Sequence, residues 1–292
     1  MLLIAENINI LSQNIGGAIK EQRAEPIHKF LSDIKKNDLD YLDLNIGPAK
    51  KNGAEMMEWL VSCVQESVDT PLSLDSTNPD AIEAGLKVCK KRALINSVSL
   101  QPERLERILP LATKYNAEMI GLLWGTDGMP RDVNERCMLT VNLVYAANEN
   151  GVPNENIWVD PIATPISGDV AKITSCVEFL RMLPEIAPGC KSVVGLSNVS
   201  NGTPTQLRPY LNRVFLVMLE QARIYSVIAD GQDDELIRFN RGERKELVSL
   251  IQQALNGESI DSRHLSPEEL KYVKTARVLT GQTLYSHAWL ES

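Results

Sequence analysis

Clusters of one charge, paired cysteines and long apolar runs are all missing from this 292-residue sequence. The net charge is −8, and no Lys/Arg patch of the kind that tracks a nucleic-acid backbone stands out. The most basic stretch, RFNRGERKE (238–246), carries interleaved acids and reads as a solvated helix face. Five cysteines, Cys63, Cys89, Cys137, Cys176 and Cys190, stand singly, without C-x-x-C or finger-like spacing. That pattern excludes a zinc finger or a disulfide framework and predicts inert, reduced thiols. The opening MLLIAENINILSQ is too short and too polar for a secretory signal. No apolar run reaches the roughly 18 residues of a membrane span. A soluble, cytoplasmic protein is expected. Internal repeats, low-complexity tracts and linkers are also missing, so residues 1–292 read as one domain.

What is present is an alternation of two segment types. Short apolar runs occur at LLIAENI (2–8), YLDLNIG (41–47), PLSLDST (71–77), ALINSV (93–98), EMIGLLW (118–124), IWVDP (157–161), SVVGLSN (192–198) and SVIAD (226–230). Between them lie stretches with helical spacing, among them 24–37, 54–68, 78–91 and 131–151. Asn78-Pro79 predicts a helix start, and Gly151 a helix end. Eight strand-plus-helix units in this length predict a closed (β/α)8 TIM barrel in preference to an open doubly wound sheet. After the eighth strand, residues 233–279 exceed one crossover. They read as two helices joined by NGESIDS, the second starting at Ser266-Pro267, with a helical insertion around 238–272.

In a parallel barrel the C-terminal strand ends converge on one rim, where active sites lie. The expected tips are Glu6, Asn7 and Asn9; Asp43 and Asn45; Asp75 and Ser76; Asn96 and Ser97; Asp160; Ser197 and Asn198; and Asp230. One acid or amide at a strand end is ordinary helix capping. Repetition at nearly every tip predicts a mouth rich in acceptors and neutral donors, with no plausible general acid or nucleophile. The three histidines, His28, His264 and His287, fall away from the tips. Neither a Ser-His-Asp arrangement nor a phosphate loop is legible. A carboxylate ring can hold a divalent cation, but the asparagine neighbours and the missing histidine argue against a metal. The better match is a flat heterocycle edge with adjacent N–H donors, such as the 2-amino-4-oxo edge of a pterin, held by a buried carboxylate and by asparagines.

DLNIGP (43–48), PLSLDSTNPDAIEAGLK (71–87), INS (95–97), WVDP (158–161) and GLSNVS (195–200) together resemble the methyltetrahydrofolate:corrinoid protein methyltransferases, of the corrinoid iron–sulfur protein or demethylase-system type. The folate module of methionine synthase shares the pattern. The resemblance implies a pterin-binding barrel, as a homodimer, that moves the N5-methyl of methyltetrahydrofolate to Co(I) of a corrinoid on a partner protein. By motif position, Asp75, Asn96 and Asp160 grip the pterin, Ser197 lines it, and Asn198 hydrogen-bonds near N5. Asp43, Asn45 and Gln206 are looser matches. Asn198 and Asp160 then carry the catalytic roles, with positive charge on N5 stabilised as the methyl leaves. Ala5-Glu6-Asn7-Ile8-Asn9 departs from the family's G-E-R-x-N by lacking the arginine. Dihydropteroate synthase is the enzyme alternative, but its Lys after the strand-seven Ser and its late Arg-x-His do not occur here. A folate-binding protein without transfer activity is the other alternative. With no D-x-H-x-x-G cobalamin loop, the corrinoid must arrive on a separate chain.

Overall fold

The computed structural model describes residues 1–34 and 39–291. Its centre is a closed barrel of eight parallel strands in chain order. These are β1 (Leu2–Asn9), β2 (Tyr41–Asn45), β3 (Leu72–Asp75), β4 (Leu94–Ser99), β5 (Glu118–Leu122), β6 (Ile157–Asp160), β7 (Lys191–Gly195) and β8 (Ser226–Ala229). Closure comes from β1 pairing with β8, in the register Leu2–Ser226 to Ala5–Ala229. No helix among the described residues is long and apolar enough to cross a membrane.

Helices ring the barrel. They are α1 (Gly16–Lys20) and α2 (Ala24–Ile34) after β1, α3 (Gly53–Ser67), α4 (Pro79–Val88), α5 (Pro102–Lys114), α6 (Val133–Glu149), α7 (Val170–Ile186) and α8 (Arg208–Gln221). The helical reading of 24–37 is met by α2 as far as Ile34; residues 35–37 lie outside the described residues. The Asn78 side chain accepts from the Asp80 amide at 3.0 Å, with Pro79 opening the helix. Gly151 follows α6 at φ +81°, the left-handed geometry that ends helices most easily at glycine. At Gly121 on β5 an added Cβ would lie 2.1 Å from Leu143 Cδ2. That glycine lets α6 sit close against the sheet.

The region after β8 differs in one respect from the two helices expected. It forms three: α9 (Asp234–Asn240), α10 (Lys245–Leu255) and α11 (Pro267–Leu279). Gly242, at φ +71°, breaks the first stretch, and Arg244 folds back to pair with Glu235 at 2.9 Å. The start of the last helix is as read. Ser266 and Glu269 form a capping box, satisfying two N–H groups that helix geometry leaves unpaired.

Period-two alternation explains the barrel's interior. Ile4, Leu94, Ile120, Trp158 and Val193 point inward and form one buried apolar plug. Two residues further along these and neighbouring strands, the same inward direction belongs to Glu6, Asp43, Asp75, Asn96 and Asp160. Apolar side chains thus close the lower barrel, and the layer above them is polar.

Candidate active site

The polar layer is a hydrogen-bonded lattice running across adjacent strands. Asp43 on β2 is 3% exposed and accepts from Ser73 Oγ on β3 at 2.6 Å and from Asn96 Nδ2 on β4 at 2.9 Å. Two residues further along both strands, Asn45 Nδ2 donates to Asp75 Oδ2, while Asn45 Oδ1 accepts from the Gly47 amide at 2.9 Å. Asp75 stands opposite Asn45 on one side and Asn96 on the other, so three expected site residues meet on one register line. Burial pushes the Asp43 carboxyl up to about 6, against the hydrogen bonds from Ser73 and Asn96. Burial, with the Asp43 charge added, holds Asp75 well above the usual carboxylate range. Two buried carboxyls this close favour sharing protons or a donor-rich ligand over two bare charges.

Asp160 closes β6 opposite Leu122 of β5 and accepts from the Ile162 amide at 2.8 Å. Burial raises it to about 7; the Ile162 amide and the Arg136 guanidinium act the other way. On the remaining side of the rim, Ser197 Oγ donates to Glu6 Oε1. Asn7 Nδ2 donates to Asp230 Oδ1 at 2.6 Å, and Asn7 Oδ1 accepts from the Gly231 amide at 2.8 Å. Burial lifts Glu6 to about 7, opposed by the Ser197 hydrogen bond and raised further by Asp230 and Asp43. The sequence had offered no plausible general acid at the strand tips. Burial inside the barrel mouth raises both Glu6 and Asp160 to about 7, which makes these two strand-tip acids candidates for that role. Glu6 was readable as a strand-tip acid; its burial depended on strands distant in the chain.

A cleft of about 480 Å³ opens beside Glu6 and Ser197, with Asn7, Asp230 and Arg208 among its walls. Asp75, Asn96, Asp160 and Asn198 are not among them, so the cleft adjoins the Asp43–Asp75 lattice without containing it. Asn198 sits in the 3-10 turn Leu196–Ser200 directly after β7, and its Oδ1 lies 3.4 Å from Asn201 Nδ2. Its amide also lies where a side chain on Gly195 would be: an added Cβ there would come 2.9 Å from Asn198 Nδ2. Gln206 is exposed in the turn before α8, apart from the lattice. Arginines behind the rim escaped the sequence reading. Arg104 on α5 donates to the Thr77 carbonyl at 2.7 Å and the Ser97 carbonyl at 2.5 Å, tying the ends of β3 and β4 together.

Among the described residues no group of His, Cys, Asp and Glu has the arrangement to hold a metal ion. The five cysteines are free, two of them buried. His28 contacts the Cys63 carbonyl at 3.0 Å on the outer helices, and His264 is exposed.

Comparison with known proteins gives the family and the fold. Residues 40–228 match the pterin binding enzyme family. A methylcorrinoid:tetrahydrofolate methyltransferase of Eubacterium limosum is 27% identical over 239 residues, which cover 81% of this chain and 88% of that protein. A methionine synthase of Mycobacterium tuberculosis is 27% identical over 254 residues, which cover 82% of this chain but only 21% of that protein. Among solved structures, dihydropteroate synthase from Thermus thermophilus superimposes with TM-score 0.60 at 19% identity, covering 84% of this chain and 94% of that one. The enzyme from Xanthomonas albilineans gives TM-score 0.61 at 15% identity, covering 83% and 93%. At such identities these two likenesses speak for the barrel alone.

Proposed function

The chain belongs to the pterin-binding enzymes, and on that premise we propose that it is a methyltransferase moving the N5-methyl of methyltetrahydrofolate, reversibly, to Co(I) of a corrinoid carried by a separate protein. The observation that carries this reading is the Asp75 carboxyl on the barrel's inner face, with Asn45 and Asn96 opposite it on the flanking strands. A 2-amino pyrimidinone edge presents two adjacent N–H groups, which a carboxylate accepts in parallel. Asn96 and Asp160 offer the mixed donors and acceptors for the rest of the ring. Ser197, Asp43 and Asn45 shape its surroundings, and exposed Gln206 is assigned to the outer end of the ligand. The likeness to the E. limosum methyltransferase over most of both chains supports the folate and corrinoid assignments.

The reaction breaks the bond between N5 and the methyl carbon and forms a cobalt–carbon bond with the electron pair of Co(I). N5 keeps its own pair and takes a proton. The protein therefore needs no nucleophile of its own; it needs charge stabilisation at N5. Asn198 serves there by turning its amide toward a protonated or a bare nitrogen. Glu6 and Asp160, both near 7, hold exchangeable protons at the same mouth. The missing G-E-R-x-N arginine leaves Glu6 without an ion pair from that motif, and Ser197 takes its place as the hydrogen-bond partner.

The single-domain reading of 1–292, with its helical addition around 238–272, belongs to this proposal. So do the cytoplasmic location and the homodimer, for which Met138, Val141 and Tyr145 form an exposed apolar stripe on α6. The test is incubation of the protein with methyltetrahydrofolate and free cob(I)alamin, followed by cobalt absorbance. Loss of the Co(I) band with formation of methylcobalamin is expected. No transfer, together with condensation of p-aminobenzoate and a pterin pyrophosphate, would replace this reading with a dihydropteroate synthase.

A further inference from the structure

The turn that follows β6 carries two structural costs at once. Ile162 stands at φ +66°. For a β-branched residue this left-handed geometry is a genuine outlier, and it persists only where the surroundings impose it. Directly behind it, on α6, Arg136 is completely buried. Its Nε donates to the Pro161 carbonyl at 2.9 Å, and its Nη1 donates to Ser175 Oγ on α7 at 2.7 Å and to the Asp132 carbonyl at 3.2 Å. Among the described residues Nη2 has no partner, and no carboxylate forms an ion pair with this guanidinium. A buried charge without a paired carboxylate is expensive to keep.

Both costs fall on three consecutive residues, Asp160, Pro161 and Ile162. The Ile162 amide turns back to hold Asp160 Oδ1 at 2.8 Å. The Arg136 side chain holds the carbonyl between them. Gly121 and Leu143 set how close α6 comes to the sheet, and so how far the guanidinium reaches.

We propose that Arg136 is a positioning residue for Asp160: its buried guanidinium clamps the Pro161 carbonyl, fixes the strained Ile162 turn, and so presents the Asp160 carboxylate, in its ionised form, to an N–H donor on the part of the bound pterin that Asp75 does not hold. This inference rests on the folate reading of the mouth. Arg136 never touches the ligand; it acts through the turn and through its charge. Among the described residues the ionisable groups that face Asp160 are Arg136 from α6 and the Cys176 thiol from α7, which burial pushes up to about 12 and which is therefore neutral. Leu122, opposite on β5, carries no charge. Arg136 is thus the one cation that favours ionised Asp160 among these groups, and its removal leaves burial unopposed except by the Ile162 amide.

The test is the pH dependence of tetrahydrofolate binding, followed by calorimetry or fluorescence quenching on the full chain, for wild type, Arg136→Gln, Arg136→Lys and Asp160→Asn. In Arg136→Gln, affinity should fall about tenfold or more, as for a lost hydrogen bond to a charged group. The pH midpoint of binding should also move upward, by about half a pH unit or more. Arg136→Lys keeps the charge and loses the fork, so its midpoint should stay near that of wild type while its affinity drops. A midpoint in Arg136→Gln equal to that of wild type overturns the proposal, because a merely structural role lowers affinity without moving it. Should Arg136→Gln fail to fold, Ser175→Ala decides: removing this one anchor should weaken binding severalfold, and wild-type affinity overturns the clamp. Asp160→Asn separates the two readings. If it binds the folate as wild type does, the folate assignment fails at Asp160; if it binds weakly while the Arg136 variants match wild type, only the clamp fails.

Discussion

Ser197, in the turn after β7, donates its hydroxyl to Glu6 on β1, so that the bond bridges two strands between which β8 lies. It ties together the first and seventh strands of a closed barrel at the level of the mouth. The partner carboxyl is held near 7 by burial. The link joins a buried acid with a raised pKa to the residue that immediately precedes Asn198.

Asp75→Asn keeps size and shape but removes the charge that makes parallel N–H···O bonds strong. Methyltetrahydrofolate affinity should fall by about 10- to 100-fold, the range for charge-assisted hydrogen bonds. Calorimetric titration reads this directly, and unchanged affinity would remove the pterin edge from Asp75.

Asn198→Ala should leave folate binding within a few-fold of wild type and slow methyl transfer by about 10²- to 10³-fold, as for loss of a preorganised polar group at the reacting centre. Single-turnover transfer to cob(I)alamin separates the two quantities. Transfer within about threefold of wild type would remove Asn198 from the chemistry.

Asp160→Asn makes a stability prediction with a definite sign. The Asp160 carboxyl is raised from the usual 3.8 to about 7. A raised value in the folded state means that stability is complete below the unfolded value and is lost as pH climbs through the folded one. Asparagine cannot ionise, and its Oδ1 still accepts from the Ile162 amide. The variant should match wild type at about pH 4 and exceed it at about pH 8 by on the order of 2–4 kcal/mol. Thermal unfolding at both values checks the sign; a gain at low pH instead would contradict it. The site would then hold its acid at the expense of stability, as functional sites commonly do.

Gly121→Ala should destabilise the barrel by about 1–3 kcal/mol, because the new methyl enters the space of Leu143 and the helix must retreat. Denaturant unfolding measures the loss. A neutral effect would mean that α6 slides freely, which the anchoring of Arg136 does not allow.

Much of this molecule was legible in the chain because barrel strands alternate inward and outward while their tips turn polar. Residues such as Asp43, Asn45, Asp75 and Asn96 announce themselves as polar groups at the ends of apolar runs, and they do meet on adjacent strands. Arg136 was illegible for the opposite reason. An arginine in an amphipathic helix reads as solvent-facing, and only the close approach of α6 at Gly121 and the loop after β6 bury it. The Glu6–Ser197 bond spans 191 positions in sequence, a separation that no local pattern encodes. The break between α9 and α10 lay in plain view at Gly242, but an isolated glycine between charged helical residues gives a weak stop signal.

A crystal structure with bound methyltetrahydrofolate decides whether the polar layer seats a folate ring with its methyl toward the open mouth. The pterin edge is expected on Asp75, with Asn96 and Asp160 around the ring and Asn198 within hydrogen-bond reach of N5. A ligand lodged away from these four residues, or a mouth left empty at saturating folate, would contradict it.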